Sequence, residues 1–178
     1  MRNRYTRKQR IMIVAIILIA AAVALFFVTR QFLIPAISPR PDDLGVTDGQ
    51  LKRCPRSPNC VTSQADPSDR THYMEPLPFE GDVTGARDDL LAVLNDMDGM
   101  TLITVSDNYI YAEFRTPLMQ FIDDVEFYID PASSVVHFRS ASRIGDGDMG
   151  TNRKRMRSIS AAFAQRRLDS AGRSRAAT

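Results

Sequence analysis

The feature that most constrains this chain is an apolar run near its N-terminus. Residues 11–28, IMIVAIILIAAAVALFFV, are eighteen consecutive apolar residues without a charged side chain. At about 1.5 Å per residue, a helix of this length spans ~27 Å, which is close to the thickness of the hydrocarbon core of a bilayer. The run therefore predicts a transmembrane helix.

The charges on either side of this run predict its orientation. No acidic residue occurs before Asp42, and only Arg30 and Arg40 follow the run closely. The basic residues that precede it are Arg2, Arg4, Arg7, Lys8 and Arg10. Because cytoplasmic flanks carry the excess of Lys and Arg, the N-terminus is predicted to be cytoplasmic and the C-terminal domain periplasmic or otherwise extracytoplasmic. We expect a single-pass protein of the inner (plasma) membrane.

A cleaved signal peptide is the alternative to a membrane anchor. Ala22, Val23 and Ala24 have the small-x-small form of a cleavage site. Residues 25–28, however, extend the apolar run past that site and make it longer than a usual signal core. We favour an uncleaved signal anchor, and a mature N-terminus at Leu25 would show cleavage instead.

The charges of the remaining chain are unevenly distributed. Residues 31–150 contain nine basic and twenty acidic residues, whereas residues 151–178 contain eight basic residues and one acid, Asp169. The acidic character of residues 31–150 argues against nucleic-acid binding, and so does the predicted extracytoplasmic location. The basic C-terminal stretch could contact anionic lipid headgroups or an acidic partner, or it could be a solvated helix end with a disordered tail.

The two cysteines agree with an extracytoplasmic location. Cys54 and Cys60 bracket the sequence CPRSPNC and are close enough to close a small loop. An even cysteine count outside the cytoplasm indicates a disulfide. Two thiols without a neighbouring histidine fall short of tetrahedral zinc ligation, and the C-x-x-C spacing of redox-active pairs does not occur. A structural disulfide is therefore expected, with no metal site.

These patterns divide the chain into five segments. Residues 1–10 form a basic cytoplasmic N-terminus, and residues 11–28 form the membrane helix. Prolines and glycines make residues 29–66 an irregular linker that carries the Cys54–Cys60 loop. An α+β domain is expected over residues 67–168, followed by a basic disordered tail over residues 169–178.

Periodicity predicts two helices and four strands in this domain. An apolar stripe indicates a helix over residues 85–97, with Asp82 or Thr84 as its N-cap, and a last helix over residues 151–167. Alternating patterns predict strands over residues 101–105, 109–116, 123–130 and 135–142. Adjacent strands flanked by helices predict an antiparallel sheet of about four strands, packed on one face by two helices.

The two faces of this sheet differ in polarity, because side chains alternate along a strand. The apolar face comprises Ile110, Ala112, Phe114, Val125, Phe127, Ile129, Val136 and Phe138. The charged face comprises Glu113, Arg115, Asp124, Glu126, Tyr128, His137 and Arg139, with Arg143 one turn later. These charges could pair across an exposed face, which would be a structural role, or form a polar platform for a charged ligand.

A glycine-rich loop, residues 144–152 (IGDGDMGTN), leads into the last helix. Free N–H groups and the helix dipole there, with Arg153 adjacent, are typical of an anion site. Asp146 and Asp148 would repel an anion, so a structural interpretation is preferred. In it, Asp148 or Thr151 caps the helix and Asp146 pairs with Arg143.

Three sequence blocks resemble a known family. They are CPRSPNC at residues 54–60, YAEFRTPLMQFIDDVEFYID at residues 111–130 and RSASRIGDGDMGTNRKRM at residues 139–156. Their order and spacing are similar to those of the bacterial and plastid domain-of-unknown-function family 1499 over residues 54–167. Matched positions are Phe114, Arg115, Thr116, Asp123, Asp124, Glu126, Phe127, Arg139, Ser140, Ser142, Arg143, Gly145, Asp148, Gly150, Asn152 and Arg153. The resemblance implies an exported or membrane-anchored protein and no established reaction. Asp146-Gly147 departs from the pattern.

Three functional hypotheses follow from these residues. The first is a membrane-anchored binding or cell-envelope assembly module that uses a charged surface for a polar or anionic ligand or an envelope protein. The second is an extracytoplasmic hydrolase in which Asp123, Asp124 or Glu126 acts as acid or base, although consecutive strand residues point to opposite faces. The third is a purely structural ion-pair network. We favour the first, with no catalytic residue assigned and no cofactor.

The candidate ligand-binding residues come from the charged face and from the loop that follows it. They are Glu113, Arg115, Asp124, Glu126, Arg139, Arg143, Asp148, Asn152 and Arg153.

Overall fold

The computed structural model describes residues 6–176, and its first element is a long apolar helix. Helix α1 (Arg7–Val28) continues through a π-helical turn (Thr29–Leu33) into the short helix α2 (Ile34–Ile37). No residue of α1 is buried within the protein. The helix is long and apolar enough to cross a membrane, and signal sequences near an N-terminus share these properties.

The rest of the chain forms an α+β domain, as predicted. Its elements are β1 (Cys60–Thr62), β2 (Leu77–Pro78), α3 (Val83–Asn95), β3 (Met100–Val105), β4 (Tyr109–Arg115), β5 (Ile122–Asp130), β6 (Val135–Ser142) and α4 (Thr151–Ala176). The sheet has the order β1-β6-β5-β4-β3, with β2 also paired to β6, and all pairs are antiparallel. It has six strands rather than four, because β1 and β2 are too short to produce an alternating pattern.

One face of the sheet forms the hydrophobic core with α3 and α4. Phe127 and Phe138 lie at the centre of the sheet and are fully buried. Leu90 of α3 and Phe163 of α4 pack into the same cluster. Each large side chain that leaves water here contributes roughly 1.5–3 kcal/mol to folding. The predicted apolar face and its two covering helices are confirmed.

The opposite face is buried as well, which the sequence did not indicate. Residues 34–51, called the covering segment below, lie across it, and Ile34, Ser38 and Leu51 are all buried there. Consequently Glu126 of the charged face is 0 % exposed and Asp124 is 2 % exposed. The interpretation of this face as a solvent-exposed ladder is wrong, because the chain leaving α1 folds back over it.

Local features of the predicted linker and of the first core helix are also confirmed. Cys54 and Cys60 form a disulfide with 5.7 Å between their Cα atoms. Cys60 begins β1, so this loop is tied directly to the sheet. Asp82 is the N-cap of α3, since its carboxylate accepts a hydrogen bond of 2.7 Å from the backbone N–H of Gly85.

Gly99 connects α3 to β3 at a point that tolerates no side chain. Its φ is +73°, and a Cβ atom there would lie 2.6 Å from the backbone oxygen of Arg115. We predict that Gly99→Ala lowers the free energy of unfolding by at least about 1–2 kcal/mol, from the backbone conformation alone.

Gly147→Ala is the matched control for this substitution, because no atom lies within 4 Å of the added Cβ. Its effect should stay within about 0.5 kcal/mol. Urea unfolding of the full chain in mild detergent, followed by circular dichroism, measures both values. Equal stability of the two variants would contradict the close approach at Gly99.

Candidate functional site

Arg143 is the centre of the buried charged face. Its Nε donates to both carboxylate oxygens of Asp124 at 3.0 and 3.1 Å, and its Nη2 donates to Asp124 at 2.7 Å and also to Glu113. Its Nη1 donates to the backbone oxygen of Ser38 in the covering segment at 3.3 Å. Only 5 % of the Arg143 side chain is exposed. One guanidinium therefore joins β4, β5 and the end of β6 to the covering segment.

Arg40 closes the same group of charges from the covering segment. Its guanidinium pairs with Glu113 at 2.7 Å and lies over the ring of Tyr111, 5.7 Å from the centroid. The Tyr111 hydroxyl donates to Asp124 at 2.6 Å. Two carboxylates and two arginines thus balance each other in charge beneath the covering segment.

Glu126 is the second attachment point for the covering segment. Its carboxylate accepts a hydrogen bond of 2.7 Å from the backbone N–H of Gly45 and one of 2.9 Å from the hydroxyl of Tyr109. Arg139, on the adjacent strand, contributes an ion pair of 3.3 Å. The Nε of Arg139 is buried and has no hydrogen-bond partner in the described part of the chain. The side chains of the sheet that make these contacts are called the polar cluster below; they are Tyr109, Tyr111, Glu113, Asp124, Glu126, Arg139 and Arg143.

The environment keeps the carboxylate of Glu113 ionised. Burial alone would raise the pKa of Glu113, but hydrogen bonds from Arg143 and Arg40 outweigh burial and hold that pKa below its usual range. Burial would likewise lower the pKa of Arg143, and its bonds to Asp124 and Glu113 raise it instead. Burial raises the pKa of both Tyr109 and Tyr111. A carboxylate held ionised in this way is a poor proton donor, which argues against Glu113 as a general acid.

A second polar network lies on the helix side of the sheet. Asp123 points away from Asp124, as predicted, and pairs with Arg155 of α4 at 2.5 Å. Arg155 also donates to Asn152 at 2.7 Å and lies over the ring of Phe114, 4.7 Å from the centroid. Asn152 is 0 % exposed and accepts a hydrogen bond from the Ser140 hydroxyl at 2.6 Å. This network fixes the start of α4 against the sheet.

Asp148 occupies the N–H groups that made the glycine-rich loop resemble an anion site. Its carboxylate accepts from the backbone N–H of Gly150 at 2.9 Å and of Asn152 at 2.7 Å. Asp148 therefore caps α4, as the preferred interpretation stated. Arg143, predicted to pair with Asp146, pairs with Asp124 and Glu113 instead.

Arg153 is likewise engaged by the protein itself. Its guanidinium donates to the backbone oxygens of Tyr73 at 3.0 Å and of Thr71 at 2.8 Å. It therefore holds the segment between β1 and β2 against α4.

Arg115 differs from the other predicted residues. Its side chain makes no hydrogen bond or ion pair with any residue that the structure describes, and it is half-buried. It lines an open cleft of about 730 Å³ between the end of β4, the α3–β3 turn and the start of α4. Lys154 and Arg155 line the same cleft from α4, and Asp98 is the acid that lines it.

The structure thus separates the nine predicted residues into three places. Glu113, Asp124, Glu126, Arg139 and Arg143 meet in the polar cluster, and Asp148, Asn152 and Arg153 secure the start of α4. Arg115 alone lines the cleft. Sequence reasoning missed Arg40, Tyr109, Tyr111 and Arg155, although Arg155 lies three residues after Asn152 and so shares its helix face. Among the described residues, no group of three or more His, Cys, Asp or Glu could hold a metal ion.

Breaking the polar cluster should destabilise the domain strongly. Glu113→Gln leaves Arg143 and Arg40 without one of their negative partners, so the free energy of unfolding should fall by about 3 kcal/mol. Asp107→Asn is the control, because Asp107 is fully exposed and its ion pair with Arg87 is 3.6 Å long. That change should stay within about 0.5 kcal/mol, and urea titration of both variants checks the difference.

His137 should make stability depend on pH as the pH falls below 6.5. Burial lowers its pKa below the ordinary value of 6.5, and the nearby Asp130 opposes the shift only in part. The unfolded chain therefore binds a proton more readily than the folded chain, so stability should fall as the pH drops through 6.5. His137→Gln should flatten this part of the curve of unfolding free energy against pH. An unchanged slope would contradict the assignment to His137.

The comparison with known proteins agrees with the sequence blocks described above. No curated protein matches the chain. The sequence model of the family described as "Protein of unknown function (DUF1499)" matches residues 50–163, well over half of the chain. The match includes the whole sheet, α3 and the first half of α4, and it begins at the end of the covering segment. On this match, the chain belongs to the DUF1499 family of proteins of unknown function.

Proposed function

We propose that this protein is a membrane-anchored, extracytoplasmic binding module that takes an anionic ligand in the cleft beside Arg115. The anchor is α1, with its N-terminus in the cytoplasm and the α+β domain on the other side. The excess of basic residues before the apolar run supports this orientation. The Cys54–Cys60 disulfide supports an oxidising, extracytoplasmic compartment.

The observation that carries the proposal is the guanidinium of Arg115, which lies in an open cleft without a partner among the described residues. Every other predicted charged residue is engaged by the protein's own groups, which leaves little capacity for a ligand. Arg115 and Lys154 give the cleft an excess of positive charge over Asp98, since Arg155 is already paired with Asp123. Threonine and serine hydroxyls in the lining, including Thr116 and Ser158, supply further hydrogen-bonding groups.

Binding is better supported than hydrolysis by the same geometry. The residues that line the cleft include no histidine or cysteine, and no hydrogen bond joins Asp98 to a hydroxyl group of the lining within the described residues, so no activated nucleophile is formed there. The carboxylates of the hydrolase hypothesis lie elsewhere, each held by an arginine. We assign these acids to the stability of the domain, and we assign the cleft to its function.

The proposal predicts that an anionic probe binds the full chain in a manner that depends on Arg115. Inorganic phosphate and glycerol phosphate are titrated into the detergent-solubilised protein and followed by calorimetry. Because a charge-assisted hydrogen bond contributes about 1.5–3 kcal/mol, Arg115→Ala should weaken binding roughly tenfold or more. Arg53→Ala is the control, because Arg53 is exposed and lines a different groove. Equal affinities of the two variants would overturn the assignment of the cleft.

A further inference from the structure

The loop between β4 and β5 lies beside the C-terminal end of the long apolar helix. Nη2 of Arg30 donates to the backbone oxygen of Pro117 in this loop at 3.3 Å. Arg30 is two residues beyond the apolar run. An arginine at the end of a membrane span places its charged group at the interface with water. A loop bonded to that group therefore lies at the membrane surface when α1 spans the bilayer.

This loop exposes apolar side chains at that level. Leu118 is 67 % exposed and Met119 is 37 % exposed. On the helix beside them, Phe32 is 69 % exposed and Leu33 is 51 % exposed. Exposed apolar side chains grouped on two neighbouring elements indicate a surface that is covered by another apolar medium.

The cleft opens at this same end of the domain. Pro117 and Gln120 of the loop belong to its lining, together with Arg115 and Lys154. Helix α4 begins at the cleft with Thr151 and runs toward the opposite end of the sheet. Near its far end, Leu168 lines a separate groove with Phe79, whose N–H bonds to Ser134 in the β5–β6 turn. The cationic cleft thus faces the membrane, and the far end of α4 faces away from it.

We infer that the cleft binds the phosphate-bearing headgroup of an anionic phospholipid in the membrane that holds α1. Arg115 and Lys154 contact the phosphate, while Leu118 and Met119 insert among the acyl chains. This inference rests on the proposed function of the cleft and names the class of its ligand. A lipid accounts for the cationic cleft and the exposed apolar loop together, because its phosphate and its acyl chains are parts of one molecule.

The insertion of the loop can be measured with a single fluorophore, because the chain contains no tryptophan. Leu118→Trp introduces one at the loop, and Leu168→Trp introduces one at the far end of α4. The two leucines are equally accessible, at 67 % and 68 %. In vesicles that contain phosphatidylcholine with brominated acyl chains, L118W should show blue-shifted, strongly quenched emission. L168W should show the spectrum of a hydrated tryptophan.

The headgroup preference is measured on the wild-type chain and its charge variants. The full chain is equilibrated in mixed micelles of detergent with equimolar phosphatidylcholine and phosphatidylglycerol, and retained lipids are counted by native mass spectrometry. Phosphatidylglycerol should be retained in preference to phosphatidylcholine. Removal of each charge, by Arg115→Ala or Lys154→Ala, should lower that preference about fivefold. Arg53→Ala should leave it unchanged.

The possible outcomes separate this inference from the function on which it rests. If the emission spectrum of L118W matches that of L168W, the lipid inference is overturned. It is also overturned if Arg115→Ala retains phosphatidylglycerol with the same preference as the wild-type chain. In either case, binding of glycerol phosphate that still depends on Arg115 preserves the proposed function with a soluble ligand. If neither lipid nor soluble anion depends on Arg115, both statements fail. Met119→Trp takes the place of L118W if the latter lowers thermal stability.

Discussion

The shared guanidinium of Arg143 is the interaction on which the rest of this domain depends. Two buried carboxylates on adjacent strands, Glu113 and Asp124, would be very costly without a positive partner between them. Arg143 supplies that partner and binds the backbone of Ser38 as well. A one-residue slip of either strand would move an acid into the hydrophobic core, so the cluster specifies the register of the sheet more than it adds net stability.

The covering segment follows from this requirement. Charges on an open sheet face would be solvated, and ion pairs between them would contribute little to the stability of the fold. Arg40 and the N–H of Gly45 instead bring matched hydrogen-bonding groups to Glu113 and Glu126, which allows the segment to exclude water from the face. The same segment emerges directly from the long apolar helix. The hydrogen bonds and ion pair between this segment and the sheet therefore fix the position of the domain relative to the end of that helix.

Periodicity was sufficient for the architecture but not for the environment of the charges. The alternation in residues 123–130 predicts both the strand and the opposite orientations of Asp123 and Asp124. Nothing local in the proline-rich stretch around Arg40 indicates that it binds Glu113, 73 residues away. The contact between Arg143 and Ser38 spans 105 residues and involves a backbone oxygen, which no sequence pattern marks. Burial of the polar face depends on these long-range contacts, and for that reason the sequence could not separate structural from ligand-binding arginines.

The difference between Arg115 and Arg143 is a difference of position rather than of chemistry. Both follow from the same alternating pattern, and both are arginines beside acidic strands. Arg143 lies where the covering segment and two carboxylates converge, so its hydrogen-bonding capacity is used within the fold. Arg115 is the last residue of β4, at the end of the sheet beside the loop that Arg30 contacts. A half-buried charge at that end, without an ion-pair partner among the described residues, loses its remaining water when a ligand arrives, and an anion offsets that desolvation cost directly. On the proposed function, this end of the sheet is the place where a domain so fully paired elsewhere would bind its anionic ligand.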